Sequence, residues 1–126
     1  MLKDELLGCG GILIGSRGLG VETEDSDWDI AILREDLPER MRNNGVPTEK
    51  YFNLLPLGNS SLIRYWRVDI LIYDDIEDLY ALVCALDHTK QVPKQFLKHK
   101  HIRIAIFEQA LIDTGRFRRE DDSIIF

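Results

Sequence analysis

The sequence predicts an α/β or α+β domain in which a small mixed β-sheet is flanked by helices. Short runs rich in Ile, Leu and Val alternate with glycine and acidic clusters in the first 73 residues, as in strands joined by turns. From residue 74 onward, apolar side chains recur at helical spacing. We expect one domain over residues 1–126, with a core at 8–73 and C-terminal helices at 74–115.

The N-terminal third is predicted to contain two strands and two short helices. Residues 1–8 favour a helix or cap that the following glycines end. Ile12–Ile14 is a short apolar strand, and Trp28–Leu33 alternates in the manner of a second strand. Residues 35–44 favour a short helix, because Pro38 is tolerated in a first turn and Asn-Asn-Gly is a stop signal.

The middle of the chain predicts a hairpin, and the remainder predicts helices. Residues 51–57 and 62–73 are strand-like runs, and the polar residues 58–61 between them favour a turn. Apolar residues at helical spacing predict one helix over 76–86 and a longer one over 94–113, which a glycine ends.

The composition is that of an ordinary soluble globular protein, with 44% hydrophobic and 30% charged residues. The longest uninterrupted apolar run, 81–86, is far shorter than the roughly 18 residues that a membrane span requires. The first residues are too acidic and too poor in apolar side chains for a signal peptide. We therefore expect a cytoplasmic protein with no membrane partner.

The cysteines and tryptophans are predicted to serve packing. Cys9 begins a strand-like apolar run and Cys84 lies in a helix-like one, and neither has the spacing of a zinc site or a thiol motif. We expect both to be reduced core residues. Trp28 and Trp66 are expected to pack as well, although Trp28 could stack on a base.

The net charge of −6 argues against extended DNA binding. The first 86 residues hold twice as many acidic as basic side chains, whereas residues 87–119 are net basic. An acidic half beside a basic half suits a site for a metal ion and a triphosphate, although such asymmetry also arises by chance.

The stretch from Gly15 to Asp29 combines glycines, a serine, an arginine and closely spaced acids. Gly15 and Ser16 follow a buried strand, where backbone N–H groups can approach a phosphate without obstruction by a Cβ atom. The Ser16 hydroxyl can donate to a terminal phosphate, and Arg17 can neutralise it. These three residues are candidate nucleotide ligands, although turns use the same residue types.

Three aspartates form the candidate catalytic and metal site. Asp27 and Asp29 are two residues apart at the start of a strand, so their carboxylates share one face. Asp69 interrupts an apolar strand, where an unpaired carboxylate would be costly. The three could hold two Mg²⁺ ions, with Mn²⁺ as an alternative, and deprotonate an attacking hydroxyl. Taken singly, the first two could instead form a cap or an acidic turn. Asp69 could pair with Arg67, or it could be a charged residue that protects an edge strand from pairing with another chain.

The order Gly-Ser, ten intervening residues, Asp-x-Asp and a later apolar-Asp-apolar strand resembles the signature of the DNA polymerase β-like nucleotidyltransferase superfamily. The small bacterial members of that superfamily include the minimal nucleotidyltransferases. The motif Gly-Ser-Arg-Gly-x-Gly is similar to that of a set of nucleotidyltransferases found in bacteria and their phages. The resemblance covers residues 8–73 and implies a nucleotidyltransferase fold.

The resemblance also implies a role for each matching residue. It implies that Gly15 and Ser16 hold the β- and γ-phosphates of the nucleotide. It further implies that Asp27 and Asp29 bind both metal ions. Asp69 would bind the catalytic metal and help to activate the acceptor hydroxyl.

Two features depart from the family pattern. Leu19 occupies a position at which many members carry a basic residue, and only about eight residues precede the first strand where many members have a longer helix. Neither departure touches the metal ligands, but both bear on the nucleotide pocket.

A basic segment near the C-terminus supplies further candidates. Lys94, Lys98 and His101 share one face of the predicted helix 94–113 and could reach the triphosphate. A solvated helix face with extended lysines has the same pattern, so both interpretations stay open.

These features together predict an enzyme. An acceptor hydroxyl would attack the α-phosphorus of a Mg²⁺-bound NTP, with ATP the favoured donor, and expel pyrophosphate. The acceptor is expected to be macromolecular, a protein or an RNA, that supplies its own docking surface. The alternatives on the same fold are a catalytically silent antitoxin-like or inhibitor module and a sensor that binds NTP without transfer.

Overall fold

The computed structural model describes residues 1–43, 46–47, 54–56 and 60–119. The strands in this part of the chain are β1 (Ile12–Ile14), β2 (Trp28–Leu33), β3 (Val46–Pro47), β4 (Leu54–Pro56), β5 (Ser60–Tyr65), β6 (Val68–Tyr73) and β7 (Phe117–Arg119). The α-helices are α1 (Leu2–Gly8), α2 (Gly15–Gly18), α3 (Ile76–Lys90), α4 (Lys94–Leu97) and α5 (Lys100–Asp113). A mixed sheet has the strand order β1-β2-β6-β5-β3, and β4 pairs with β7 in a second sheet. This architecture confirms the predicted fold class.

The parallel pair formed by β2 and β6 is the centre of the main sheet. All six residues of each strand are aligned, and the register places Asp29 beside Asp69. β1 and β5 extend the sheet on the two sides of this pair, and both run antiparallel to their neighbours. The two aspartates therefore lie on adjacent interior strands rather than at an edge of the sheet.

The main sheet separates two hydrophobic cores. Successive residues of a strand point to opposite faces, so Ala31 and Leu33 pack with residues of α3 and α5, whereas Ile30 and Ile32 pack with Leu6 of α1. Both faces of the central strands are buried, which explains their nearly continuous apolar sequence. Each fully buried Ile or Leu side chain stabilises the fold by roughly 1.5–3 kcal/mol.

The predictions for α1, β1, β2 and α3 are confirmed, although α3 continues four residues beyond its predicted end at residue 86. Asp75 caps α3, since its Oδ1 accepts a hydrogen bond of 2.9 Å from the Glu77 N–H. In the last turn the buried Thr89 hydroxyl donates to the Ala85 carbonyl. Within the described ranges, none of the helices combines the length and apolar character needed to cross a membrane.

The predicted helix over 35–44 is wrong. Two short 3₁₀ turns, Arg34–Asp36 and Glu39–Met41, flank Leu37 and Pro38 instead. Leu37 has an extended ψ of 148°, because the ring of a following proline disfavours the helical conformation. The end of the predicted segment lies outside the described residues.

The hairpin lies at a different position from the predicted one. The run 62–73 spans two strands, β5 and β6, which are joined by a turn at Trp66 and Arg67. These residues have φ values of 34° and 61°, and a type I′ turn requires positive φ at both positions. β4, which lies within the predicted strand 51–57, pairs with β7 and not with β5. Of the predicted turn 58–61, Ser60 and Ser61 instead begin β5, and residues 58–59 lie outside the described residues.

The predicted helix over 94–113 consists of two helices, α4 and α5, separated by an extended His99 with a ψ of 115°. The Arg103 guanidinium donates to the carbonyls of Leu97 and Lys98 at 3.5 and 3.4 Å. It thereby satisfies carbonyl groups that the end of α4 leaves without helical partners. A glycine with positive φ follows α5, as predicted.

Three residues predicted to lie in the core are exposed. Cys9 and Cys84 are free and exposed, and Trp66 exposes 87% of its surface at the hairpin turn. Helical periodicity did not separate Cys84 from its buried neighbours, because α3 carries apolar residues on its outer face as well, such as the exposed Tyr80. Trp28 is partly buried against the α1 core, in agreement with its prediction.

Arg116 links the start of β7 to the start of α3. Its Nε donates to the fully buried Asp78 at 2.9 Å, and its Nη2 donates to Asp75 at 2.7 Å. Nη1 lies 3.3 Å from a Glu77 carboxylate oxygen. The hydrogen bond to Asp78 and the neighbouring carboxylates raise the pKa of Arg116, so its charge is fixed. This ion-pair cluster joins two segments that are 38 residues apart in sequence.

The Trp66→Asn variant is expected to be more stable than the wild type by about 1 kcal/mol, because asparagine adopts positive φ at lower cost and the lost ring is almost fully exposed. Urea denaturation measures the free energy of unfolding of both proteins. Trp66→Val is the matched control and should be less stable than the wild type, since a β-branched residue strongly disfavours positive φ. Equal stability of the two variants would show that the turn is not strained.

Replacement of Arg116 by methionine is expected to lower the free energy of unfolding by about 3 kcal/mol, because it removes the guanidinium that neutralises the buried Asp78. Arg118→Met, at an exposed position two residues further along in β7, should change it by less than about 0.5 kcal/mol. Thermal or chemical denaturation gives both values. Similar losses in the two variants would contradict a special role for Arg116.

Candidate active site

Asp29 and Asp69 are neighbours at the N-terminal ends of the two parallel strands. Their aligned register places both side chains on the same face of strands that lie about 4.8 Å apart. Asp27 immediately precedes β2 and lines the same cavity as the other two. The structure therefore brings together the three aspartates that the sequence singled out.

Gly15 lies directly against Asp29. It follows β1, whose last residue, Ile14, pairs with Asp29 across the sheet. Gly15 has a φ of 68°, and a Cβ atom at this position would overlap the Oδ2 atom of Asp29. Ser16 follows and lines the same cavity. Both the backbone conformation and the close approach therefore require glycine at position 15.

Two arginines of the β5–β6 hairpin neutralise the acids. The Arg64 Nε lies 3.7 Å from an Asp69 oxygen, and the Arg67 Nε lies 3.6 Å from an Asp27 oxygen. Burial raises the pKa of Asp69; the Arg64 guanidinium opposes this rise and the Asp27 carboxylate adds to it. The ion pair of Asp69 is thus with Arg64, its neighbour across β5 and β6, and not with Arg67 as one alternative proposed.

A cavity of about 570 Å³ is formed by the acidic strand ends and by α5. The strand and loop residues include Gly15, Ser16 and the three aspartates. The lining residues of α5 recur at helical spacing and are Lys100, Arg103, Ile104 and Glu108. One space therefore holds clustered carboxylates together with three cationic side chains, those of Arg64, Lys100 and Arg103, as a nucleotide with a metal ion would require.

Glu108 is the most buried acid of this cavity wall, with 8% of its surface exposed. Burial raises the pKa of Glu108, and the Arg119 guanidinium, with Nη1 3.5 Å away, opposes that rise. Because Arg119 lies on β7, this ion pair also ties the second sheet to α5.

Arg17 lies beside the cavity and holds the loop that carries the acids. Its Nη2 donates to the Ser26 carbonyl at 3.0 Å, and its guanidinium lies 4.1 Å from the centre of the Trp28 ring. The Lys3 ammonium lies 4.2 Å from the same ring, so Trp28 contacts two cations. These contacts fix the segment immediately before and after Asp27.

Lys94 and Lys98 are not among the residues that line the acidic cavity. Lys94 extends toward the loop after α2, where its Nζ lies beside Gly20. Lys98 follows α4, and its carbonyl accepts from Arg103. The common face predicted for these lysines and His101 required an unbroken helix, and the break at His99 removes that condition.

Sequence reasoning missed five charged side chains of the cavity, namely Asp25, Arg64, Lys100, Arg103 and Glu108. The three α5 residues lie at positions i, i+3 and i+8 of one helix, so their spacing would have grouped them if the helix start had been known. Arg64 gave no such signal, because its approach to Asp69 depends on a hairpin whose turn residues are atypical.

The donor set of the cavity fits a magnesium ion. Mg²⁺ is usually held by one or two carboxylates and completes its coordination with water and phosphate oxygens. Asp29 and Asp69 provide two adjacent carboxylates, and Asp27 is a third in the same cavity. In the described part of the chain no group of three His, Cys, Asp or Glu side chains is arranged to hold a metal as it stands. Arginines contact two of the acids instead.

A family model described as a nucleotidyltransferase domain matches residues 11–110. The match includes β1, β2, β6 and α3 and spans more than three quarters of the 126 residues. The chain therefore belongs to the nucleotidyltransferase domain family, whose general reaction is transfer of a nucleoside monophosphate from an NTP. Comparisons with curated proteins and with solved structures gave no significant match.

Gly15→Ala is expected to lower the free energy of unfolding by about 1–3 kcal/mol, because the new methyl group would displace Asp29 and the φ of 68° disfavours alanine. Gly8→Ala is the control: nothing lies within 4 Å of its added methyl group, and alanine is the better helix former. Urea denaturation compares the two. A Gly15→Ala variant as stable as Gly8→Ala would contradict the tight approach to Asp29.

Proposed function

We propose that this protein transfers a nucleoside monophosphate from a Mg²⁺-bound NTP to a hydroxyl group of a macromolecular acceptor, with ATP as the favoured donor. Mn²⁺ could replace Mg²⁺. The observation that carries the proposal is the adjacent pair Asp29 and Asp69, over which Gly15 and Ser16 lie, in a cavity that also holds two cations of α5.

The acids and the loop have separate tasks in this proposal. Asp27 and Asp29 would hold the metal–nucleotide complex, and the backbone N–H groups at Gly15 and Ser16, with the Ser16 hydroxyl, would bind its β- and γ-phosphates. Bound Mg²⁺ would neutralise phosphate charge and polarise the reacting phosphorus. Arg17 contributes indirectly, because it holds the acid-bearing loop through Ser26.

Asp69 would act on the acceptor. Its carboxylate would orient the hydroxyl and accept its proton as the oxygen attacks the α-phosphorus. The new bond joins the acceptor oxygen to that phosphorus, the bond from the α-phosphorus to the bridging oxygen breaks, and pyrophosphate leaves. Burial, which raises the pKa of Asp69, also strengthens it as a base.

The positive charges of α5 suit the triphosphate. Lys100 and Arg103 lie in the same cavity as the acids, whereas Lys94 and Lys98 lie outside its lining. Arg103 could form a two-pronged hydrogen bond with a phosphate, which a lysine cannot. We therefore include Lys100 and Arg103 of α5 in the proposed nucleotide site. Substitutions at the earlier candidates, Lys94 and Lys98, serve as controls for substitutions at these two residues.

The ion pairs of Asp27 and Asp69 support an alternative. Arginines that neutralise two of the acids could make a site that needs no metal, as in a silent antitoxin-like or inhibitor module. A third possibility is a sensor, which would bind NTP as the enzyme does but, like the silent module, would transfer nothing. The three functions differ in metal-dependent NTP binding and in release of pyrophosphate.

Calorimetric titration of the four NTPs, with and without Mg²⁺, tests the proposal. Wild-type protein should bind an NTP only when Mg²⁺ is present, and Asp29→Asn should abolish this binding. Arg103→Gln should weaken binding about tenfold or more, the value of one charge-assisted hydrogen bond, while Lys98→Gln should leave it within twofold.

A pyrophosphate assay with candidate protein and RNA acceptors then separates transfer from binding. Release that requires both an acceptor and Asp69, and is lost in Asp69→Asn with NTP binding retained, supports the enzyme. Metal-dependent binding with no release for any acceptor favours the sensor. No NTP binding by folded protein favours the silent module.

A further inference from the structure

A second groove lies next to the acidic cavity, at the tip of the β5–β6 hairpin. It has a volume of about 320 Å³, within the range of ligand sites. Tyr65, Trp66 and Arg67 line it from the hairpin, and Lys3 and Arg17 line it from α1 and α2. Arg17 also holds the acid-bearing loop and Arg67 also pairs with Asp27, whereas Lys3, Tyr65 and Trp66 have no part in the transfer proposed above.

The groove connects to the acids through shared residues. Ser26 lines both the groove and the acidic cavity. Arg67 lines the groove, while its Nε lies 3.6 Å from Asp27 and its Nη2 donates to the Asp25 carbonyl. A linear molecule lying in the groove would therefore have its end at the acidic cavity.

The charge of the groove is opposite to that of the whole chain. Three cations line it, from Lys3, Arg17 and Arg67, against one acid, Glu24. The complete sequence has a net charge of −6. A polyanion is thus attracted to this groove and repelled by the chain as a whole.

The hairpin tip presents aromatic rings to solvent. Trp66 exposes 87% and Tyr65 exposes 62% of its surface. The turn would form more readily with Asn-Gly than with Trp66 and Arg67 at positive φ, so backbone preference does not explain these residues. Exposed aromatic rings beside cations are the surface on which single-stranded nucleic acids stack their bases.

We propose that this groove binds the acceptor, and that the acceptor is the 3′ end of a single-stranded RNA. Bases stack on Trp66 and Tyr65, phosphates contact Arg67 and Lys3, and the terminal hydroxyl reaches Asp69. Glu24 favours RNA over DNA, because its carboxylate can accept a hydrogen bond from a ribose 2′-hydroxyl. This inference rests on the proposed function and names its acceptor.

Fluorescence anisotropy of a labelled 12-nucleotide single-stranded RNA of mixed sequence tests the proposal, in Mg²⁺ buffer without NTP so that no transfer occurs. Trp66→Asn should weaken binding at least fivefold, although it suits the backbone of the turn. Trp66→Phe should retain binding within about threefold. Arg67→Gln should weaken binding and reduce the slope of log affinity against log salt by about one.

Tyr80→Asn is the matched control, because Tyr80 exposes 61% of its surface on α3, away from the groove, and its loss should leave binding unchanged. Equal weakening by Tyr80→Asn and Trp66→Asn overturns the site. Equal affinity for single-stranded DNA overturns the choice of RNA, and preference for a duplex overturns the stacking model. Absent RNA binding with intact Mg²⁺-dependent NTP binding overturns this inference and leaves the proposed transfer standing; loss of NTP binding as well rejects both.

Discussion

The parallel register of β2 and β6 is the constraint on which the site depends, because it places two carboxyl groups side by side on adjacent interior strands. Like charges at this distance repel, and burial adds a desolvation penalty that appears in the raised pKa of Asp69. The surrounding groups offset this cost. Arg64 and Arg67 approach from the hairpin, and α5 adds further positive charge to the cavity. Positive charge from the hairpin and from α5 thus faces the clustered carboxylates from two sides of the cavity.

The β5–β6 hairpin affects the surroundings of the aspartates in more than one way. It brings Arg64 beside Asp69 by antiparallel pairing, and its turn directs Arg67 toward Asp27. The same turn exposes an aromatic ring next to the acids. A short element with positive φ at both turn residues therefore brings cations to the acids and places an exposed aromatic ring beside them.

Much of the fold and the acid cluster could be predicted from sequence, because local signals carry them. The apolar strands, the Asp-x-Asp spacing and the glycine before Ser16 are each readable within a few residues. The errors arose where tertiary contacts decide. A proline divided the predicted helix 35–44. The helix predicted over 94–113 breaks where the Arg103 side chain caps α4, and no glycine or proline marks that break. Trp66 and Arg67 form a tight turn although neither is a typical turn residue. For this reason the sequence did not predict that residues of α5 line the cavity.

The contact between Gly15 and Asp29 has a consequence for how this chain can change over generations. A Cβ atom at position 15 would collide with the carboxylate of Asp29, so position 15 cannot gain a side chain unless Asp29 moves or is replaced. A lineage that gives up the acid for a smaller residue frees the glycine from one of its two restrictions, and the positive φ remains as the other. The constraint therefore acts in one direction: Asp29 can be shortened while Gly15 stays, but position 15 cannot gain a side chain while Asp29 keeps its place.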